Sequence, residues 1–289
     1  MEEIIRKNRP KISDSSLYTY KTMLGAFMRR IGKADLSVFK TESKNVLDAL
    51  LLEPLSRRKT ILSAIVAVLN DDDLSKPYKK QMMDDIHEDK KFLESQEKTD
   101  KQKKTWMSQD EVLKVYESLF KKYNKLASQE SLSVLELQNL QDLLIASLYV
   151  LIPPRRLMDF TEFKLKNYSE DDNYMFGRKF IFNRYKTARS SGSQSVDIPN
   201  KLYLLLKKYS KVVPVDQDYL LFDKKGKKLT TTKLNLKLQK IFGEGRSVNQ
   251  LRHTYISDNV LQDMPRLNEL AKIANQMGHS VSTQLLYKK

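Results

Sequence analysis

Cysteine is absent from the 289-residue chain. That excludes disulfides and thiolate metal sites, and it fits an intracellular, reducing compartment. Glycine is scarce, with 8 residues, and none belongs to a phosphate-cradling Gly-rich loop, so ATP use is not expected. No run of about eighteen apolar residues occurs, so neither a membrane span nor a membrane partner is expected. The opening residues, MEEIIRKNRPK, lack the apolar core of a secretion signal. Histidine is limited to 3 residues, and two of them, His253 and His279, fall in the stretch 247–289.

What the chain does have is positive charge. Lys and Arg number 52 against 36 Asp and Glu, a net charge of +16, and the pI is near 9.6. That excess favours a polyanion partner, nucleic acid ahead of anionic membrane. Hydrophobic residues at 40% allow a proper core, and the length suits one large domain or two ordinary ones.

Residues 13–93 read as helical throughout. Leu17, Tyr20, Leu24, Phe27, Met28 and Ile31 recur at helical spacing, with Ser13 as cap and Gly32 as stop. A second helix is expected from Thr41 to Leu52, ending before Pro54. A third carries Ile61, Ile65, Val68 and Leu69, and a fourth runs from Ser75 to Leu93 with Pro77 in its first turn. Such apolar stripes are ordinarily core. The clusters Arg57-Arg58-Lys59 and Lys79-Lys80 are ordinarily solvated faces, with DNA contact as the sharper alternative. Asp71 to Asp73 and Asp84-Asp85 read as solvated helix ends rather than metal ligands. The next stretch, ESQEKTDKQKKT at 94–105, has no apolar residue and reads as a linker. Its basic run, with Lys101, Lys103 and Lys104, is a candidate for phosphate contact.

A second domain opens at Trp106. Ser108 and Glu111 have capping-box spacing before Val112, Val115, Tyr116 and Leu119. A long apolar helix is expected from Val134 to Ile152, stopped by Pro153-Pro154. Alternation from Tyr174 to Tyr185 predicts a strand, 186–194 a turn and Ser195–Ile198 a returning strand. Helices are expected over 200–210, 230–242, 248–260 and 266–276. The fold class is therefore mainly α with a small antiparallel β-sheet, divided as 1–93, a linker at 94–105, and 106–289.

Two motifs close the chain: Asn249-Gln-Leu-Arg-His-Thr-Tyr-Ile-Ser257 and Met277-Gly-His-Ser-Val-Ser-Thr-Gln-Leu-Leu-Tyr287. Arginine clamps phosphate oxygens with a planar fork, histidine adds a donor, and a tyrosine hydroxyl can attack phosphorus once charge is neutralised. Singly, each residue has a bland explanation: an Arg-Arg pair is a surface feature, a loop lysine is solvated, a tyrosine near a terminus packs or frays. The ordered set carries more weight than its members.

That set resembles the tyrosine recombinases, the integrase and resolvase family that shares its chemistry with type IB topoisomerases. The family's plan is a helical core-binding (SAM-like) domain, a basic linker and a helical catalytic domain with a small sheet, matching the division above. The resemblance implies Arg156, Lys186, Arg252, His279 and Tyr287 as catalytic residues. Asp159, three residues after Arg156, fits the family's acid; Arg155 does not fit that register and is a candidate DNA contact. His253 is implied as structural support. Two features depart from the family pattern. Asn249 stands where His or Lys is usual, which weakens a proton-carrying role there, and prolines precede Arg155 where glycine is usual. The chain also ends two residues after Tyr287, where many relatives continue into a tail helix that docks on a neighbouring subunit.

By that resemblance, Arg156, Arg252 and His279 hold the scissile phosphate, and Tyr287 attacks to give a 3'-phosphotyrosyl link. Lys186 protonates the departing 5'-oxygen, and neither metal, cofactor nor ATP takes part. The implied function is site-specific recombination or integration on double-stranded DNA, by a protein that is monomeric when free and tetrameric in a synaptic complex. The Pro-Pro-Arg-Arg and Met-Gly-His-Ser forms look like recombinases of eukaryotic DNA viruses and mobile elements, which implies a host nucleus or cytoplasm. The alternatives are a type IB topoisomerase-like relaxing enzyme, a non-catalytic DNA-binding descendant, for which Asn249 speaks, and a metal-dependent nuclease.

Overall fold

The computed structural model describes residues 1–261, 264–277 and 281–286. His279 and Tyr287 lie outside the described residues. In chain order the helices are α1 (Glu2–Asn8), α2 (Asp14–Arg30), α3 (Val38–Thr41), α4 (Ser43–Leu51), α5 (Leu55–Leu69), α6 (Asp72–Ser95), α7 (Asp100–Thr105), α8 (Gln109–Tyr123), α9 (Val134–Val150) and α10 (Leu157–Thr161). Four strands follow, β1 (Phe163–Lys164), β2 (Asn173–Phe176), β3 (Lys179–Phe182) and β4 (Gln194–Asp197), with α11 (Ala188–Ser191) between the last two. The chain continues through α12 (Asn200–Val212), α13 (Thr231–Phe242), α14 (Val248–Tyr255), α15 (Leu267–Gln276) and α16 (Val281–Leu286). No helix among the described residues is long and apolar enough to cross a membrane.

Two compact units divide the chain: Met1–Glu97 with Pro265–Lys289, and Lys98–Met264. In the first unit, α2 starts where Ser13 accepts a hydrogen bond from the Ser16 amide. Gly32, with φ +67°, takes the left-handed turn that follows the helix. Leu17, Leu24 and Phe27 of α2 pack with Ile61, Leu62 and Ile65 of α5 in one buried cluster. The helix expected from Ser75 begins earlier, because Asp71 caps it by accepting from the Leu74 amide at 2.9 Å. Pro77 therefore lies inside α6 rather than in its first turn.

Two expectations about charge in this unit are corrected. Arg58 is neither solvated nor turned outward: its Nε and Nη2 donate to the two carboxylate oxygens of Asp85, each at 2.8 Å. Asp85, read as a solvated helix end, is 1% exposed and also accepts from Gln81. The flanking Lys59 pairs with Asp89, and Arg57 with Glu53. A charge cluster with acids one helix away becomes internal glue, which a single-helix pattern cannot register.

In the second unit α9 is the central helix. Its Ser133–Glu136 capping box fixes the start, and all its residues from Leu137 to Val150 except Asn139 are buried. Gln141, fully buried on it, donates to the Phe222 carbonyl at 2.9 Å and accepts from the Phe222 amide and the Tyr209 hydroxyl, each at 3.0 Å. The sheet packs through Phe163, Phe180 and Phe182, which meet Phe160 of α10 in tilted and edge-on contacts.

The sheet is mixed, not purely antiparallel. Its order is β1-β2-β3-β4, with β1 and β2 parallel and the other pairs antiparallel. The strand expected over 174–185 is two strands, folded back at Gly177, whose φ of +57° a side chain would strain. The expected turn at 186–194 holds the single-turn helix α11. The stretch 94–105 is also more ordered than its composition predicts. It contains the end of α6 and the short helix α7, started by a capping box between Thr99 and Gln102. Lys101, Lys103 and Lys104 sit on that helix, with Lys103 3.6 Å from Asp100. The helix expected to reach residue 260 stays α-helical to Tyr255 and widens into a π-turn at Ile256–Val260.

Candidate functional site

A cleft of about 260 Å³ opens in the second unit where the start of α10, the β3–β4 loop and α14 meet. Pro153 and Pro154 end the run of helix and hold an extended approach to α10, with Arg156 at φ −68°, ψ 154° as its N-cap. That geometry brings Arg155 and Arg156 to one side of the cleft. Arg252 reaches the same cleft from α14, whose Val248, Leu251 and Thr254 face the core. Thr254 fixes the helix by donating to the Met107 carbonyl at 2.8 Å.

The two neighbouring arginines differ sharply. Arg155 is engaged: its Nε donates to Asp159 Oδ2 at 2.7 Å. Its Nη2 donates to Gln194 Oε1 at 3.0 Å, and its guanidinium lies 3.9 Å from the centre of the Phe182 ring. The side chains of Arg156 and Arg252 both line the cleft and make no hydrogen bond or ion pair among the described residues. The Asp159 carboxylate is thus paired with Arg155, while Arg156 keeps its sequence register three residues before Asp159. Residues 155 and 156 precede the helix, and helical spacing does not govern which of them reaches Asp159.

Asp159 is the counter-charge of the site. It is 2% exposed, and burial pushes its carboxyl above the usual range, while Arg155, Arg156 and Arg252 pull it back. Its Oδ1 has no hydrogen-bond partner among the described residues. Beside it the Tyr149 hydroxyl is likewise buried without a partner, and burial raises that phenol far above its ordinary value. Asp159 adds to that rise and Arg252 opposes it, which sets all three groups within electrostatic reach of one another.

The remaining candidates are placed as follows. Lys186 is exposed in the turn after β3, makes no hydrogen bond or ion pair among the described residues, and lies between the cleft-lining Tyr185 and Thr187. Asn249 and His253, four residues apart, share the exposed face of α14, away from its buried side. His279 and Tyr287 fall outside the described residues. Sequence reasoning missed Tyr149, Gln194 and Asn173. The signal for Tyr149 was a single hydroxyl on an otherwise apolar helix; for the other two, short polar side chains in strands, there was none.

No family model matches the chain, and no curated protein does. Among solved structures, the crystal structure of XerA recombinase is similar over 99% of this chain and 93% of that one, with a TM-score of 0.37 and 14% identity. A likeness of that size assigns no activity.

Proposed function

We propose that this protein cuts and rejoins DNA strands as a site-specific recombinase, through a covalent phosphotyrosyl intermediate. The observation that carries this reading is the pair of guanidinium groups, Arg156 and Arg252, drawn from distant parts of the chain to one cleft and without a side-chain partner among the described residues. Two forks on one phosphodiester would neutralise both non-bridging oxygens as charge builds in the pentavalent transition state. Cationic side chains then do the work a metal ion does elsewhere. Lys186, on the adjoining loop, supplies the proton to the departing 5'-oxygen. Tyr287 as nucleophile and His279 as a further donor complete the set, on the strength of the sequence motifs.

The finer parts of the reading rest on sequence. The protein acts as a free monomer that becomes a tetramer on synapsed double-stranded DNA, in a reducing, intracellular compartment, and belongs to a viral or mobile element. The division into a helical core-binding part, a basic connection and a catalytic part is of the same standing. Asn249 favours one rival, a DNA-binding descendant that has lost catalysis.

The test is a nicked suicide duplex, incubated with protein in the presence of a chelator and run on a denaturing gel. A protein–DNA band that disappears in Arg252→Ala and in Arg156→Ala is the expected result. Binding without any covalent band selects the non-catalytic rival, and relaxation of supercoiled DNA without recombinant products selects the topoisomerase-like one. A band that the chelator abolishes contradicts the metal-free mechanism.

A further inference from the structure

The loop that carries Lys186 leaves the sheet at Phe182 and returns at Gln194, which are cross-strand partners. Its base is fastened at several points, among them Asn183, which donates to the carbonyls of Glu170 and Asp172. Asn173, fully buried, donates to the carbonyls of Asp159 at 2.9 Å and Arg184 at 2.8 Å, and accepts from the amides of Asn183 and Arg184 at 2.8 and 2.6 Å. The Tyr185 hydroxyl donates to the Gly192 carbonyl at 2.7 Å, closing the loop on itself. Arg155 is a further tie, and among the described residues it alone joins α10 to the far side of the loop through side chains: Asp159 on one hand, Gln194 on the other. With Nε and Nη2 each donating to an acceptor, a face on Phe182 and only 16% of its side chain exposed, Arg155 is held in place at the rim of the cleft.

We propose that Arg155 is a positioning residue and not a phosphate or DNA ligand. It sets the Lys186 loop against the start of α10, and so sets Lys186 relative to Arg156. The consequence for catalysis rests on the functional reading above, in which Lys186 is the general acid; the tie itself does not.

Two variants test it. Arg155→Met keeps an aliphatic stem on Phe182 and loses both bonds. Gln194→Leu removes only the acceptor, leaves the charge of the cleft unchanged and keeps Asp159 paired, so it remains informative if Arg155→Met fails to fold. Hydrogen exchange is measured first, without DNA. Faster exchange confined to 183–193 is expected in both variants, and unchanged exchange there overturns the tie. Cleavage is then compared on duplexes with oxygen or sulfur at the bridging 5' position. Each variant should lose about 10²-fold on the oxygen substrate, the cost of displacing a catalytic group by roughly an ångström. Sulfur should restore most of that, as it should for Lys186→Ala, because a thiolate leaves without a proton. A loosened loop with no rescue by sulfur overturns the link to Lys186, and an unaltered loop with unrescued loss marks Arg155 as a direct phosphate ligand. If the wild type cleaves neither substrate, the functional reading falls, and the exchange result alone decides the tie.

Discussion

Arg155 and Arg156 are adjacent and chemically identical, yet one is engaged by Asp159, Gln194 and Phe182 while the other has no side-chain partner at the cleft among the described residues. The difference arises from where the backbone places each side chain, with Arg156 extended as the N-cap of α10, and not from the residue type. Asn249 is the other telling residue. It sits three positions before Arg252 on the exposed side of α14, and its amide can donate a hydrogen bond but cannot carry a proton. Asn249→His is expected to maintain or raise the rate of adduct formation on the suicide duplex, since imidazole restores a proton-exchanging donor. A lower rate in a variant that keeps its thermal stability would mean that the position is built around an amide. The set of arginines and their approximate place were legible in the sequence; the choice of Asp159's partner was not. Periodicity describes a helix, and residues 155 and 156 stand just before one.

At the scale of elements, what was legible followed from local rules. Ser13, the Ser108–Glu111 box and Pro153-Pro154 set helix ends by chemistry that reaches only a few residues, and α2, α8 and α9 begin and stop close to where those signals stand. What failed depended on a partner far along the chain. The parallel pairing of β1 with β2 joins two short segments that carry no period of their own. The α5–α6 contact turns Arg58 and Asp85, both apparently surface charges, into a buried fork with side chains 10% and 1% exposed. That pair yields a stability prediction. Arg58→Met strands a buried carboxylate, and loss of one partner of a buried pair costs about 3–5 kcal/mol. Adding Asp85→Leu should recover most of the loss, because the stranded charge is gone. Urea unfolding of the single and double variants checks this. Equal destabilisation of both would show that the pair contributes through its own attraction rather than through the penalty of stranding Asp85.

At the scale of the molecule, the buried apolar residues fall into two separate cores, one built on α2 and α5 and one on α9. The net charge of +16 belongs to the same scale. Pairs such as Arg58–Asp85, Arg155–Asp159 and Lys228–Glu162 cancel within themselves and leave that net charge whole. The excess remains available to a polyanion, and each phosphate contact it makes adds about −0.9 to the slope of log affinity against log salt. Charge alone describes any DNA-binding protein, however, and in the proposed function it is Tyr287 that separates strand transfer from binding. The most direct measurement is therefore to trap the adduct on the suicide duplex, digest it, and identify the DNA-bearing peptide by mass spectrometry. The account predicts a single modified residue, Tyr287, and no adduct from Tyr287→Phe at unchanged DNA affinity. DNA attached to Tyr255 or any other residue, or an undiminished adduct from Tyr287→Phe, would contradict it.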